Sequence, residues 1–121
     1  MRPLVDWSDV GTEFDRVCSE NTDFASRTIR NAKALMKFSE SRYPVAHDVG
    51  PGYWPTISFS WLSSFSIAVE VFEDRYEFYR FFDKRTEIKH VEIGNGQSFP
   101  DALIHLLDGV LLDANLGGTK A

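Results

Sequence analysis

Residues 65–82 run Phe65-Ser66-Ile67-Ala68-Val69-Glu70-Val71-Phe72-Glu73-Asp74-Arg75-Tyr76-Glu77-Phe78-Tyr79-Arg80-Phe81-Phe82. In the first part, Phe65, Ile67, Val69 and Val71 alternate with Ser66, Ala68 and Glu70. That period of two is the signature of a half-buried strand. Glu73-Asp74-Arg75 then turns the chain, and Tyr76 to Phe82 is a further strand. This second strand breaks the alternation. Tyr76, Phe78 and Phe82 share one face, while Tyr79 and Phe81 share the other. A two-residue turn at Asp74-Arg75 sets Val71 opposite Phe78 and Ile67 opposite Phe82. Tyr79 and Phe81 then fall on the outer face, with Glu70, Ala68 and Phe72 around them; two readings of that face stand open, a cover by the first helix or the Tyr53-Trp54-Pro55 loop, and an exposed aromatic patch that marks a partner site. A slip of one residue exchanges the two sets.

The same period extends in both directions. Ile57, Phe59 and Trp61 alternate with Thr56, Ser58 and Ser60, and Ser63-Ser64 is the turn that follows. Asp83-Lys84-Arg85 turns the chain again, Thr86 to Ile93 is a strand, and Gly94-Asn95-Gly96 ends the sheet. Strands joined by such short turns form an antiparallel meander, here of four strands.

The flanks read as helices. Trp7, Val10, Phe14, Val17 and Cys18 fall near one face of a helix over 7–19, with Ser8 as N-cap. A second helix is capped by Asn21 or Thr22. Its stripe is Ala25, Ile29, Ala32, Met36, Ser39 and Tyr43, and Pro44 stops it. The proline- and glycine-rich segment 44–55 reads as loop. Ser98-Phe99-Pro100-Asp101 opens the last helix in the manner of a capping box. Its apolar face is Leu103, Leu106, Leu107, Val110 and Leu111. Two N-terminal helices, a four-stranded antiparallel meander and a C-terminal helix packed on one face of the sheet make an α+β fold. We expect one α+β domain over 1–113 and a flexible C-terminal tail over 114–121, where a Gly-Gly pair accompanies little to bury.

The 121 residues suffice for one core, burying about two-thirds of the chain's surface without a metal or disulfide staple. Lys plus Arg total 13 against 18 Asp plus Glu, a net charge of −5. Nucleic-acid binding needs cationic surface to displace counterions from phosphates, so this balance argues against it and favours a basic partner. Cys18 stands alone, and Asp6 and Asp9 interrupt any apolar leader, so the reading is a cytoplasmic protein with no membrane span.

Candidate chemistry is sparse. His47, His90 and His105 have no partners at metal-ligand spacing, so no metal site and no cofactor are expected. His47-Asp48 lies in the loop, where a general base can sit, but adjacent loop residues more often point apart. Glu70, Glu73, Asp74 and Glu77 surround the hairpin, and their plain reading is a solvated turn. Arg27, Arg30, Lys33 and Lys37 form a basic band on the outer side of the second helix. No catalytic residue is assigned. The partner-binding candidates are Tyr79, Phe81, Phe72, Glu70 and Glu77, an aromatic strip interleaved with acids.

Two functional readings stay open. The first is a non-enzymatic, acidic protein-binding domain of inhibitor, antitoxin or immunity type, with a basic protein partner or a second copy of itself. The second is a small-molecule-binding protein or small enzyme with an aromatic-lined pocket between sheet and helices.

Overall fold

The computed structural model describes residues 4–53, 55–62, 65–93 and 99–112. Trp54, the Ser63-Ser64 turn, Gly94-Asn95-Gly96, the Ser98 cap and the 114–121 tail lie outside the described residues. In chain order the elements are α1 (Trp7–Glu20), α2 (Ser26–Glu40), β1 (Asp48–Pro51), β2 (Ile57–Trp61), β3 (Ile67–Val71), β4 (Arg75–Phe81), β5 (Thr86–Glu92) and α3 (Asp101–Leu107). A π-helical turn, Asp108–Leu112, continues α3. Among the described residues no helix is long and apolar enough to cross a membrane.

The α+β architecture with an antiparallel sheet is as expected, but the sheet has five strands in the order β1-β2-β3-β4-β5, not four. The additional strand, β1, comes from the segment read as loop. Val49 is buried opposite Phe59, and Pro51 stands opposite Ile57. Proline has no N–H to give a ladder, and β1 tolerates it because it lies at the sheet's edge. The bonds His47 N–H to Ser60 O (2.9 Å) and Gly52 N–H to Thr56 O (2.8 Å) flank the strand.

The helix starts also differ from expectation. Asp6, not Ser8, caps α1, accepting the Asp9 N–H at 2.9 Å. Asn21 does not cap α2; it closes α1, donating from Nδ2 to Val17 O at 2.8 Å. With that side chain engaged, α2 begins only at Ser26, after Ala25 and without a side-chain cap.

The hairpin between β3 and β4 closes one step earlier than expected. Phe72 N–H donates to Arg75 O at 2.9 Å, leaving Glu73-Asp74 as the two turn residues. Val71 therefore pairs with Tyr76 rather than Phe78, and Ile67 with Arg80 rather than Phe82. The displacement is two residues, an even number, so the side chains within the β3–β4 ladder keep their expected faces.

The helices pack on one face of the sheet. Phe14 of α1 stacks on Phe59 of β2 with centroids 6.5 Å apart, and Trp7 lies 6.3 Å from Trp61. Tyr76 of β4 donates its hydroxyl to Asn31 O of α2 at 2.9 Å. Phe99, just before α3, meets the edge of the Tyr76 ring at 5.5 Å. Leu103, Leu107 and Leu111 are fully buried over this layer, and each such side chain contributes about 1.5–3 kcal/mol. Leu106, expected with them, is only half-buried. Asp108 fastens the π-helical turn to the end of α2. Its two carboxylate oxygens accept from Arg42 Nε (2.9 Å) and Nη2 (2.6 Å), and the Tyr43 hydroxyl adds a bond of 2.7 Å. The Arg42 hydrogen bonds hold the Asp108 carboxyl below its usual range against the opposing effect of burial, with Tyr43 assisting.

Candidate functional site

The face of the sheet opposite the helices carries Ser58 and Ser60 of β2, Ala68 and Glu70 of β3, Glu77, Tyr79 and Phe81 of β4, and Ile88 and His90 of β5. Helix α1 does not reach this face, because its Phe14 is stacked on Phe59 on the other side. The cover comes instead from the chain after β1. Tyr53 N–H donates to Glu70 Oε2 at 3.1 Å, and the Thr56 hydroxyl donates to the same oxygen at 2.5 Å. These bonds draw the Gly52–Tyr53 backbone down over Glu70.

A groove of about 490 Å³ results. Its floor is Ser58, Ala68 and Glu70, one wall is Pro51, Gly52 and Tyr53, and the other is Tyr79, Phe81 and Ile88. Tyr79 and Phe81 lie ring over ring, with centroids 6.3 Å apart and planes 12° apart. Phe81 and Ile88 remain 38% and 49% exposed, so apolar surface stands open beside the groove.

Under these rings sit two carboxylates. Glu70 and Glu77 are direct cross-strand partners, and each is buried. Like charges opposed in this way destabilise a sheet unless something intervenes. The Tyr79 hydroxyl intervenes, lying 3.0 Å from Glu70 Oε1 and 2.7 Å from Glu77 Oε1. A phenol carries one proton, so it donates to only one of these oxygens at a time. Glu77 has further support from Arg75 Nε at 3.0 Å and His90 Nε2 at 3.5 Å. Burial pushes the Glu77 carboxyl up, but the bonds from Tyr79 and Arg75, with the nearby Arg75 charge, outweigh it, and the group sits below its usual range. Burial first, then the bonds to Glu77 and Glu70, hold the Tyr79 hydroxyl well above its usual range, so it remains a donor.

Of the residues singled out from the sequence, Glu70, Tyr79 and Phe81 meet in the groove, and Glu77 joins them through the Tyr79 hydroxyl. Phe72 does not meet them. It sits at the hairpin turn with the Arg75 guanidinium 3.8 Å above its ring, beside a separate hollow next to Asp23 and Thr28. Tyr53 belongs to the loop that was one of the two candidate covers of this face, whereas Gly52, Thr56 and Ile88 were not anticipated. Ile88 shares its face with Tyr79, its cross-strand partner, and that pairing is the signal that identifies it. No sequence signal ties residues 52–56 to Glu70.

The other candidates have structural positions. His47 Nδ1 accepts the Leu62 N–H at 2.9 Å, bracing the β1–β2 pair. Arg27, Arg30, Lys33 and Lys37 are all exposed on α2. Between sheet and helices, where a pocket was the alternative, Phe14, Phe59, Trp61, Tyr76 and Phe78 are each no more than 2% exposed, and a hollow of about 160 Å³ lies beside Tyr76 and Phe99 at the edge of that layer. Compared with known protein families, characterised proteins and solved structures, the chain matches none.

Gly52 is the residue that lets the loop close. A methyl group there would press on Thr56 Oγ1 and lie 2.6 Å from Glu70 Oε2. Neither atom is free to retreat, since the two are bonded to each other. Gly52→Ala is therefore expected to lift the loop and cost about 1–3 kcal/mol in urea unfolding, through overpacking and the lost Tyr53 bond. Unchanged stability would show that the loop does not bear on Glu70.

Proposed function

We propose that this chain is a non-enzymatic protein-binding domain whose outer sheet groove receives a basic side chain, flanked by apolar residues, from a protein partner. The observation that carries this reading is the donor shortage at the groove floor: one Tyr79 proton serves the Oε1 atoms of both Glu70 and Glu77. A guanidinium or ammonium group entering beside Glu70 supplies the missing donors and opposite charge. The walls then bury its stem and neighbours against Tyr79, Phe81 and Ile88, where aromatic surface gives contact area at low entropic cost. The net charge of −5 favours encounter with a basic partner. Small size and acidity fit a protein that occupies and inhibits its target.

A short extended peptide with arginine between leucines tests this by amide chemical-shift titration. Shifts are expected at Gly52, Tyr53, Ala68, Glu70, Tyr79 and Ile88. Citrulline in place of arginine, which removes the charge and keeps the shape, should weaken binding about tenfold, the value of roughly one charged hydrogen bond. Equal affinity for the two peptides, or shifts confined to the helical face, would overturn the reading. The groove volume also lies in the range of small-ligand clefts. A small cationic ligand is thus the second reading, favoured if agmatine alone binds as tightly as the peptide.

A further inference from the structure

β5 is the last strand of the sheet and its long open edge. The bonds Phe82 N–H to Arg85 O and Ile93 N–H to Asp74 O fix the alternation of the β4–β5 ladder. Residues 85, 87, 89, 91 and 93 turn their backbone groups toward β4. Thr86, Ile88, His90 and Glu92 turn theirs outward, by the alternation of an antiparallel pair. Among the described residues no backbone hydrogen bond reaches these outward groups. A row of unpaired donors and acceptors is a template for another strand.

The side chains state which strand fits. Thr86-Glu87-Ile88-Lys89-His90 is complementary to itself when run antiparallel about Ile88. Ile88 then faces Ile88 of the second copy, Thr86 faces His90, and Glu87 faces Lys89 on both sides of the axis. The Ile88 and Thr86–His90 pairs are those with outward backbone groups, so each exchanges two hydrogen bonds. The Glu87–Lys89 pairs fall between them, where side chains approach most closely. Registers centred on the residues nearest Ile88 fail. Centred on Lys89, the pairing opposes Lys89 to itself; centred on Glu87, it opposes Glu87 to itself. Centred on His90 it makes no opposite-charge pair, and centred on Thr86 it runs off the strand into the Asp83-Lys84-Arg85 turn.

We propose that two copies of this chain pair antiparallel through β5 about Ile88, forming one continuous ten-stranded sheet. Ile88 is 49% exposed in the single chain and lines the groove, so the contact covers it and brings the two grooves together on one face. The resulting site is bivalent. A pairing held by one strand edge is small and belongs to weak, concentration-dependent association.

Sedimentation equilibrium from about 10 μM to about 1 mM, the range for such a small interface, tests the proposal. The wild-type chain is expected to pass from 13.8 kDa toward twice that mass. Lys89→Glu and Glu87→Lys each replace attraction by repulsion at both flanking pairs, and each should raise the dimer Kd about tenfold or more. An equimolar mixture of the two variants restores opposite charges across the axis and should associate about as tightly as wild type. Circular dichroism melting of each variant alone checks that these exposed changes leave the fold intact. A wild-type chain that stays monomeric throughout, single variants that dimerise normally, or a mixture that does not recover would each overturn the proposal. The peptide titration reads the groove separately, so failure of the dimer leaves that result standing.

Discussion

Leu107→Asp is expected to abolish the cooperative thermal transition. Leu107 is fully buried in α3, within the core that includes Leu103, Leu111 and Tyr76. Removing the leucine from such a site costs about 2–5 kcal/mol, from lost transfer energy and the cavity left behind. The carboxylate that replaces it adds several kcal/mol more, because it enters an apolar space with no partner. The sum reaches a typical domain's whole margin of about 5–15 kcal/mol. The neighbouring residue supplies the control. Leu106 lies one step, or about 100°, around the helix and is only half-buried, so its side chain has a route to water. Leu106→Asp should keep a cooperative transition, with a loss of about 1–2 kcal/mol. Scanning calorimetry on the two variants decides the matter. If Leu107→Asp melts near the wild-type temperature, or Leu106→Asp is the more damaging, α3 is rotated from the position described here.

The contrast between these leucines also shows where sequence pattern stops. Periodicity identifies a helix's apolar arc, but the centre of the arc depends on what it meets, and Leu106 falls at its margin. The sheet was legible where burial acts on one face. Ile57, Phe59 and Trp61, and then Ile67, Val69 and Val71, announce themselves by alternation. Tyr79 and Phe81 could be placed opposite Tyr76 and Phe78 even though the turn was misplaced, because a shift of two residues conserves sidedness. β1 could not be read, since an edge strand is bound by one partner only and needs few apolar residues; Val49 is its single buried side chain. The site was legible to the same degree. Glu70, Glu77, Tyr79 and Phe81 were found by parity within two strands. The Tyr53 loop was only one of two candidate covers, and its anchoring to Glu70 could not be read, because it depends on bonds from a segment 17 residues away. Phe72 left the group because it is the last residue before the turn, where the ring lies against Arg75.

Tyr79→Phe is expected to destabilise the free protein although it leaves the ring in place. The stacking on Phe81 needs only the ring, so the variant isolates the hydroxyl. That hydroxyl stands between two buried carboxylates paired directly across β3 and β4. A hydrogen bond to a charged group is worth about 1.5–3 kcal/mol, and its loss also leaves two like charges opposed. The expected loss is about 2–4 kcal/mol in urea unfolding at neutral pH. The pH dependence has a definite sign. Glu77 is held below its usual range in the folded protein, so its contribution is present above the ordinary carboxyl value of 4.5. It is lost as pH falls through the lower, folded value. Tyr79→Phe removes one of the bonds that hold Glu77 down. The gap between variant and wild type should therefore be widest above pH 4.5 and narrow below it. A second substitution separates repulsion from packing. Glu70→Gln removes one of the opposed charges and offers an amide N–H to Glu77, while its oxygen still accepts from Tyr53 and Thr56. In the wild-type background this change replaces the charged acceptor beside the Tyr79 hydroxyl; in the Tyr79→Phe background it should recover stability, giving a coupling of about 1 kcal/mol or more. Additive losses in this cycle would mean that the hydroxyl does not mediate between the two acids. The donor shortage that a basic side chain is proposed to relieve would then have no energetic basis.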